Sequence, residues 1–371
     1  MYIKNNLRLP INSDEREKII GVYPYFGPTG ILGYINDYKI NEEFALIGED
    51  GDHFLKHKER EMTLVFNGKA NVNNHAHIIT NSKRCLVSWF HAFFVHRDIT
   101  SHLTRQGAKR YKLTKAGLQK LTLLLPPIDE QRKIVQILSI WDKAIATTEK
   151  LLGNSQQQKK ALLQQLLTGK KRFPEFSGAL RLTKLNSLLK EEKLRNQSLL
   201  VDRVLSVTNH SGFVLPEDQF SKRVASENVS NYKIVKHGQY GYNPSRLNIG
   251  SFAKLEEYDI GILSPMYVVF SINEDKLNSD YFYNWMQSNE AKQRIKKSTQ
   301  GSVRESVGFD ALTSFSIRLP ALDEQENIAS VLNVADKEIQ TLKSKLDFLK
   351  EEKKALMQQL LTGKKRVKLE G

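Results

Sequence analysis

Positions spaced alternately four and three apart, most of them apolar, run along two stretches of this chain. The first comprises Ile134, Leu138, Trp141, Ile145, Thr148, Leu152, Ser155, Lys159, Leu162 and Leu166. The second comprises Ile328, Leu332, Ala335, Ile339, Leu342, Leu346, Leu349, Lys353, Leu356 and Leu360. This is a heptad seam kept over more than four heptads, and it predicts a helix that packs along another helix. Proline stands just ahead of each stretch, at Pro126 and Pro320, and none interrupts it. Asp129-Glu130 and Asp323-Glu324 put negative charge at the positive end of each helix dipole. Gly169 and Gly363 follow the last apolar pair and suit C-caps, with Lys-Lys-Arg just beyond. About 40 residues at ~1.5 Å each make a rod of roughly 60 Å.

The two stretches are copies. Leu125-Pro126-Pro127-Ile128-Asp129-Glu130-Gln131 returns as Leu319-Pro320-Ala321-Leu322-Asp323-Glu324-Gln325, and Ala161 to Arg172 returns as Ala355 to Arg366, both at an offset of 194. Without gaps, residues 125–172 and 319–366 agree at 25 of 48 positions. Two lookalike heptad helices in one chain are most simply explained by packing on each other. The competing reading has two helices packed on separate cores. Lys159 and Lys353 interrupt both seams at the same place. Either the coil loosens there or the two lysines snorkel outward.

Ahead of each helix lies a segment with short aromatic and β-branched runs broken by Gly, Pro and Asn, a pattern of strands and turns. Thr63-Leu64-Val65-Phe66, His77-Ile78-Ile79 and Tyr267 to Ile272 are such runs, while Leu182 to Leu189 and Ser279 to Ile295 read as helical. The expected fold class is α+β: two globular domains joined by two long antiparallel coiled-coil helices in a pseudo-twofold arrangement. The expected boundaries are a first domain at 1–124, a first helix at 125–172, a second domain at 173–318 and a second helix at 319–371. The helices share much sequence and the domains share little, as in one frame carrying readers of two different targets.

Charge narrows the function. Lys and Arg number 56 against 41 Asp and Glu, a net +15 over 371 residues, which favours a polyanionic partner, nucleic acid before an anionic membrane face. No apolar run approaches the roughly 20 residues that span a bilayer, so no membrane role is expected. Met1 to Pro10 has no apolar core of a signal peptide. Cys85 is the single cysteine, so the chain holds no internal disulfide and no thiolate zinc site, and a reducing, cytoplasmic setting is the simple reading.

The paired Leu-Pro-x-x-Asp-Glu-Gln motifs and the paired Gln-Gln-Leu-Leu-Thr-Gly ends resemble those of the specificity subunits of type I restriction-modification enzymes. Tyr23-Pro24-Tyr25-Phe26-Gly27, Gly48-Glu49-Asp50-Gly51 and Val72-Asn73-Asn74-His75-Ala76-His77 look like motifs of one type of target-recognition domain. Tyr242 to Gly250 and Leu263-Ser264-Pro265-Met266-Tyr267 look like those of another. The resemblance covers nearly the whole chain. It implies two target-recognition domains, each reading one half of a split site in double-stranded DNA, with the helices as a ruler for the unread spacer. It further implies two methyltransferase subunits as partners, two restriction/translocase subunits in the full complex, and no catalysis, cofactor or metal of this chain's own. The first domain departs from the pattern. It reaches Tyr23 after only 22 residues, where the second has residues 173–222 ahead of its first motif-like strands, so its opening strands and helix are expected to be missing, by truncation or by natural shortening.

No catalytic constellation emerges. There is no Gly-x-x-x-x-Gly-Lys-Ser/Thr loop. Asn243-Pro244-Ser245 resembles the Asn-Pro-Pro-aromatic motif of adenine methyltransferases but lacks the second proline and the aromatic. Glu191-Glu192-Lys193 and Glu351-Glu352-Lys353 resemble a nuclease Glu-x-Lys without the preceding Asp, and read as solvated helical faces. His75 and His77 have metal-like spacing on a strand, where both would point the same way, but no third ligand. For DNA the wanted types are Arg and Lys on phosphates, and Arg, Asn, Gln and Ser on base edges. Thr104 to Arg110 forms a basic, glycine-containing loop with Arg105, Gln106, Lys109 and Arg110. Ser298 to Arg304, with Gln300 and Arg304, occupies the matching place in the second half. The bland reading of both is a turn joining the last helix to the last strand. Asn73, His75, Asn243, Ser245, Arg246 and Asn248 complete the candidates. The alternatives to a reader are a nuclease or methyltransferase fragment and a coiled-coil scaffold that is basic only for solubility.

Overall fold

The computed structural model describes residues 1–106, 110–209, 211–219, 228–299 and 306–369. Two compact units divide the chain, one comprising residues 1–149 and 345–371, the other residues 150–344. Each unit therefore holds part of both long helices.

The first unit contains β1 (Tyr2–Ile3), α1 (Ser13–Lys18), β2 (Ile20–Phe26), β3 (Ile31–Ile35), β4 (Ile40–Gly48), β5 (Thr63–Val72), β6 (Ala76–Thr80), α2 (Val87–Phe94), β7 (Thr104–Gln106), β8 (Arg110–Lys112), α3 (Lys115–Gln119) and the start of α4 (Ile128–Leu166). Its six-stranded sheet has the order β1-β6-β4-β5-β2-β3 and is antiparallel except between β2 and β5. β4 is apolar at successive positions because both its faces are covered. Ala45 and Ile47 join Trp89, Phe90, Phe93 and Phe94 of α2 in one core, while Phe44 and Leu46 meet Phe26, Val72 and Ile78 on the other side. Ile134, Leu138, Leu360 and Leu361 of the long helices close the α2 core.

The second unit contains the rest of α4, then β9 (Arg181–Lys184), β10 (Leu189–Glu191), β11 (Ser206–Thr208), β12 (Gly212–Val214), α5 (Pro216–Gln219), β13 (Lys233–Lys236), β14 (Tyr240–Tyr242), β15 (Phe252–Lys254), β16 (Ile260–Leu263), β17 (Val268–Ile272), α6 (Ser279–Gln287), α7 (Asn289–Thr299), α8 (Phe309–Thr313), β18 (Ser316–Leu319) and the start of α9 (Leu322–Leu360). Its main sheet runs β10-β17-β14-β15. Tyr240 stacks with Phe252 and Phe270, with centroids 5.4 and 5.2 Å away, and Phe282 and Trp285 of α6 pack with this aromatic layer. Leu166, Leu167, Ile328, Ala329 and Leu332 of the long helices complete that core.

Every position of both seams is buried or half-buried. In the first unit Glu130 receives Arg366, at 2.6 and 2.5 Å, and Asp142 receives Lys353. In the second unit Glu324 receives Arg172, at 2.8 and 2.5 Å, and Asp336 receives Lys159 at 2.5 Å. The start of one helix meets the end of the other in each unit, so the pairing is antiparallel. Both sets of partners are related by the offset of 194, so each unit repeats the same pairing. The seam lysines take neither expected course alone: each leans out of the seam far enough to reach an aspartate of the opposite helix. Gly169 and Gly363 adopt φ of +70° and +72°, and the amides of Lys171 and Lys365 turn back to the carbonyls of Gln165 and Gln359. These are the left-handed helix ends that glycine makes accessible.

The glutamine of each Asp-Glu-Gln motif clasps a domain to its helix. Gln131 accepts from the Leu86 amide and donates to the carbonyls of Arg84 and Pro126. Gln325 accepts from the Asn278 amide and donates to those of Lys276 and Pro320. Leu86 and Asn278 are the N-caps of α2 and α6, so the clasp fixes where each of those helices begins.

Three expectations are corrected. Leu182 to Leu189 is not a helix: β9 pairs with β18 and β10 with β17 around a short 3-10 turn at Leu185–Ser187, so strand partners far along the chain override the local pattern. The helical run from Ser279 breaks at Ser288, whose extended backbone ends α6 while its hydroxyl caps the Ala291 amide of α7. The opening of the first domain does carry structure, since β1 pairs with β6 and α1 starts with a capping box at Asn12 and Glu15.

Gln325 is 1% exposed. Replacing Gln325 by Ala strands an amide and two carbonyls, and the expected loss is about 3 kcal/mol of second-unit stability in urea unfolding. Loss under about 0.5 kcal/mol would contradict the clasp.

Candidate nucleic-acid interface

In the first unit the candidate residues gather around the end of β4. Asn73 is buried, and its side-chain oxygen accepts from the His75 amide at 2.8 Å, so it shapes the turn between β5 and β6. His75 lies in that turn, exposed, with Nδ1 3.0 Å from Asp50. His77 lies in β6, buried, and the two rings serve different ends. Its Nε2 is 2.6 Å from the Leu113 carbonyl and must donate there, which leaves Nδ1 to accept from Asn5 at 2.9 Å and Arg8 at 2.8 Å. The shared direction expected for a histidine pair is thus absent, and among the described residues no cluster of three or more metal-ligating side chains exists.

Glu49 and Asp50 tie this turn to the basic hairpin. Glu49 forms ion pairs with Arg8 at 2.7 Å and Lys112 at 3.2 Å, and Asp50 lies 3.6 Å from Lys112. Main-chain bonds run from the Leu113 amide to the Glu49 carbonyl and from the Gly51 amide to the Tyr111 carbonyl. The hydrogen bond with Glu49 holds the Lys112 ammonium above the ordinary lysine range, with Asp50 adding to it. Arg105 and Gln106 stand on β7 and Arg110 opens β8, two strands paired antiparallel where a loop was expected. Lys109 lies outside the described residues. Sequence reading found the Gly-Glu-Asp-Gly and Asn-Asn-His-Ala-His motifs but missed Arg8 and Lys112. Only folding brings these beside the motifs.

In the second unit Asn243 caps a 3-10 turn, Pro244–Ile249, accepting from the Ser245 amide at 3.0 Å. Leu247 is buried as its anchor, while Ser245, Arg246 and Asn248 stand exposed. No side-chain partner meets Arg246 or Asn248 among the described residues. The Val307 amide bonds to the Pro244 carbonyl at 3.0 Å, so the chain returning from α7 passes this turn. Gln300 and Arg304, on that returning stretch, lie outside the described residues. Asn243-Pro244-Ser245 thus serves as a capped turn with its asparagine amide committed to the backbone.

Two unlike α+β units clasped by one repeated device to a pair of antiparallel long helices define a class of frame proteins with paired domains. The family model for the type I restriction modification DNA specificity domain matches residues 3–154 and 226–351. The chain belongs to that family. A putative type I restriction enzyme specificity subunit from Haemophilus influenzae is 33% identical over 136 residues, 37% of this chain and 34% of that protein. The type I restriction enzyme MjaVIII specificity subunit from Methanocaldococcus jannaschii is 24% identical over 383 residues, 95% of this chain and 88% of that one. Among solved structures, the S subunit of a type I restriction-modification system from M. genitalium matches with a TM-score of 0.60 and 11% identity, covering 95% of this chain and 92% of that chain; this shows a shared fold.

Burial holds His53, His77 and His91, all in the first unit, below the ordinary histidine range. The folded chain refuses protons that the unfolded chain takes near pH 6.5, so this stability is full above about that pH and is lost as pH falls through the lowered values. The melting temperature is expected to fall from about pH 7.5 to about pH 5.5, less steeply in a His77→Gln chain. A flat profile, or one that His77→Gln leaves unchanged, would contradict the buried neutral His77.

Proposed function

We propose that this chain is the DNA-reading subunit of a type I restriction-modification complex. Each of its two domains reads one half of a bipartite target in double-stranded DNA, and the chain itself catalyses no reaction. The observation that carries this reading is the repeat itself: one clasp of Glu, Gln and Arg, used twice, holds two unlike units in a chain of the specificity family. A frame kept constant while its two readers differ suits a site with two different halves.

Within this reading the paired strands β7 and β8, with Arg105, Gln106 and Arg110, approach the duplex from the first domain, as does Lys109. Ser245, Arg246 and Asn248, with Gln300 and Arg304, do so from the second. The net charge of +15 draws phosphate to both. The continuous helices α4 and α9 pass through both units and set the spacer. Two methyltransferase subunits dock on the chain and supply the chemistry, and two restriction/translocase subunits join the full complex.

A duplex carrying the target should bind with an affinity that falls steeply with salt, at a log–log slope of about −0.9 per phosphate contact. Arg105→Ala and Arg246→Ala should each cost about 1–3 kcal/mol of binding where the arginine meets a base edge. Salt-independent or absent binding favours a scaffold and sinks the proposal. Methyl transfer by the isolated chain with S-adenosylmethionine would do so too. Four residues inserted after Ser155 should change the preferred spacer; an unaltered recognition sequence removes the ruler.

A further inference from the structure

Strands β15, β14 and β17 lie side by side in the second unit, and Tyr242 at the end of β14 is flanked by Phe252 of β15 and Val268 of β17. Two turns therefore stand at the same end of this sheet. Residues 243–251 join β14 to β15, and residues 264–267 lead into β17. The turns touch, since Met266 Sδ is 4.0 Å from Asn243 Nδ2.

Both turns are closed by their own main chain. The Gly250 amide bonds to the Leu247 carbonyl, the Ser251 amide to the Arg246 carbonyl, and the Tyr267 amide to the Ser264 carbonyl. Gly250 takes a φ of +92°, and Pro265 presets the backbone at the first central position of the second turn. With these amides committed, the side chains carry what the turns offer to a ligand. Leu247 points inward and is 3% exposed, whereas Ile249 and Met266 stand 60% and 64% exposed. Ser245, Arg246 and Asn248 are exposed at the same end of the sheet. Neither turn contains an Asp or a Glu, so no carboxylate of theirs opposes a polyanion.

Polar and apolar side chains on one rigid rim suit the edge of a base pair. In the major groove thymine presents an acceptor oxygen next to a methyl group, and the methyl is read by apolar contact. A protein partner fits less well. Two apolar side chains cover far less than the roughly 800 Å² per partner that a specific protein interface buries.

We propose that Met266 is a specificity-determining residue of the second domain, packing on the 5-methyl group of a thymine in its half-site, with Ile249 extending the apolar part of the same rim. This rests on the proposal that the domain reads DNA, and it adds a discrimination that Ser245, Arg246 and Asn248 lack. Cytosine has no methyl at that place, and its amine would lose its water against an apolar side chain.

The test uses the full chain and a duplex carrying the sequence that is methylated only in cells that have the chain. Each thymine in the two halves is replaced singly by deoxyuridine, which removes the methyl group alone. At one thymine the replacement is expected to weaken binding about fourfold, the weight of one buried methyl group. The same replacement is expected to leave binding by a Met266→Ala chain unchanged and to retain its effect on a Met266→Leu chain. The proposal is overturned if no thymine behaves in this way, or if the loss is the same with and without Met266. It is overturned equally if Met266→Ala weakens assembly with methyltransferase subunits and leaves the effect of deoxyuridine intact, which would make the rim a protein contact. Failure of the unaltered chain to bind the unaltered duplex would instead sink the reading of DNA on which the proposal rests, and the proposal with it.

Discussion

A buried carboxylate in the first turn of a helix is favoured by the helix dipole but costs several kcal/mol unless a cation meets it. Glu130 and Glu324 are such carboxylates, and the arginine that meets each stands just past the end of the other long helix. This single requirement sets the direction and register of the helix pair. Only an antiparallel arrangement brings the start of each helix to the end of the other, and the same pair at the offset of 194 repeats that requirement in each unit. The Lys–Asp pairs farther along repeat the same geometry where the seam changes from leucine to lysine.

From that frame the domains follow. Gln131 and Gln325 sit one residue beyond the carboxylates and reach back to the N-caps of α2 and α6. The cores then grow from those helices, with α2 phenylalanines under β4 in one unit and a stacked aromatic layer around Tyr240 in the other. The clasp depends on backbone groups of the domain, not on its side chains. A domain can therefore change its sequence widely and still dock in the same place.

The frame was legible because its signals are local. A heptad seam, a proline before, an acidic first turn and a glycine after are all spaced within one helix, and α4 and α9 formed where they stood. The roles of Glu130, Gln131 and Arg366 were visible only as a repeated motif, because their partners are distant in the chain. The domains were less legible. β9 and β10 are three or four residues long and take their conformation from β18 and β17, so the apolar spacing of Leu182 to Leu189 misled. The pairing of Lys159 with Asp336 was missed because the aspartate stands off the seam. Of the candidate DNA residues, Asn73 and Asn243 proved committed to turns, since asparagine that suits a base edge also suits a backbone cap. Arg246 and Asn248 stand exposed.

Family membership, two unlike domains and a shared frame support the proposal of a subunit that chooses where a modification complex acts. The most direct measurement is a map of methylated adenines across the genome of cells that have this chain and of cells that lack it. The account predicts that methylation at one bipartite sequence, two short halves around a fixed spacer, vanishes with the chain and returns with it. A methylation pattern indifferent to the chain, or loss confined to a single uninterrupted sequence, would contradict it.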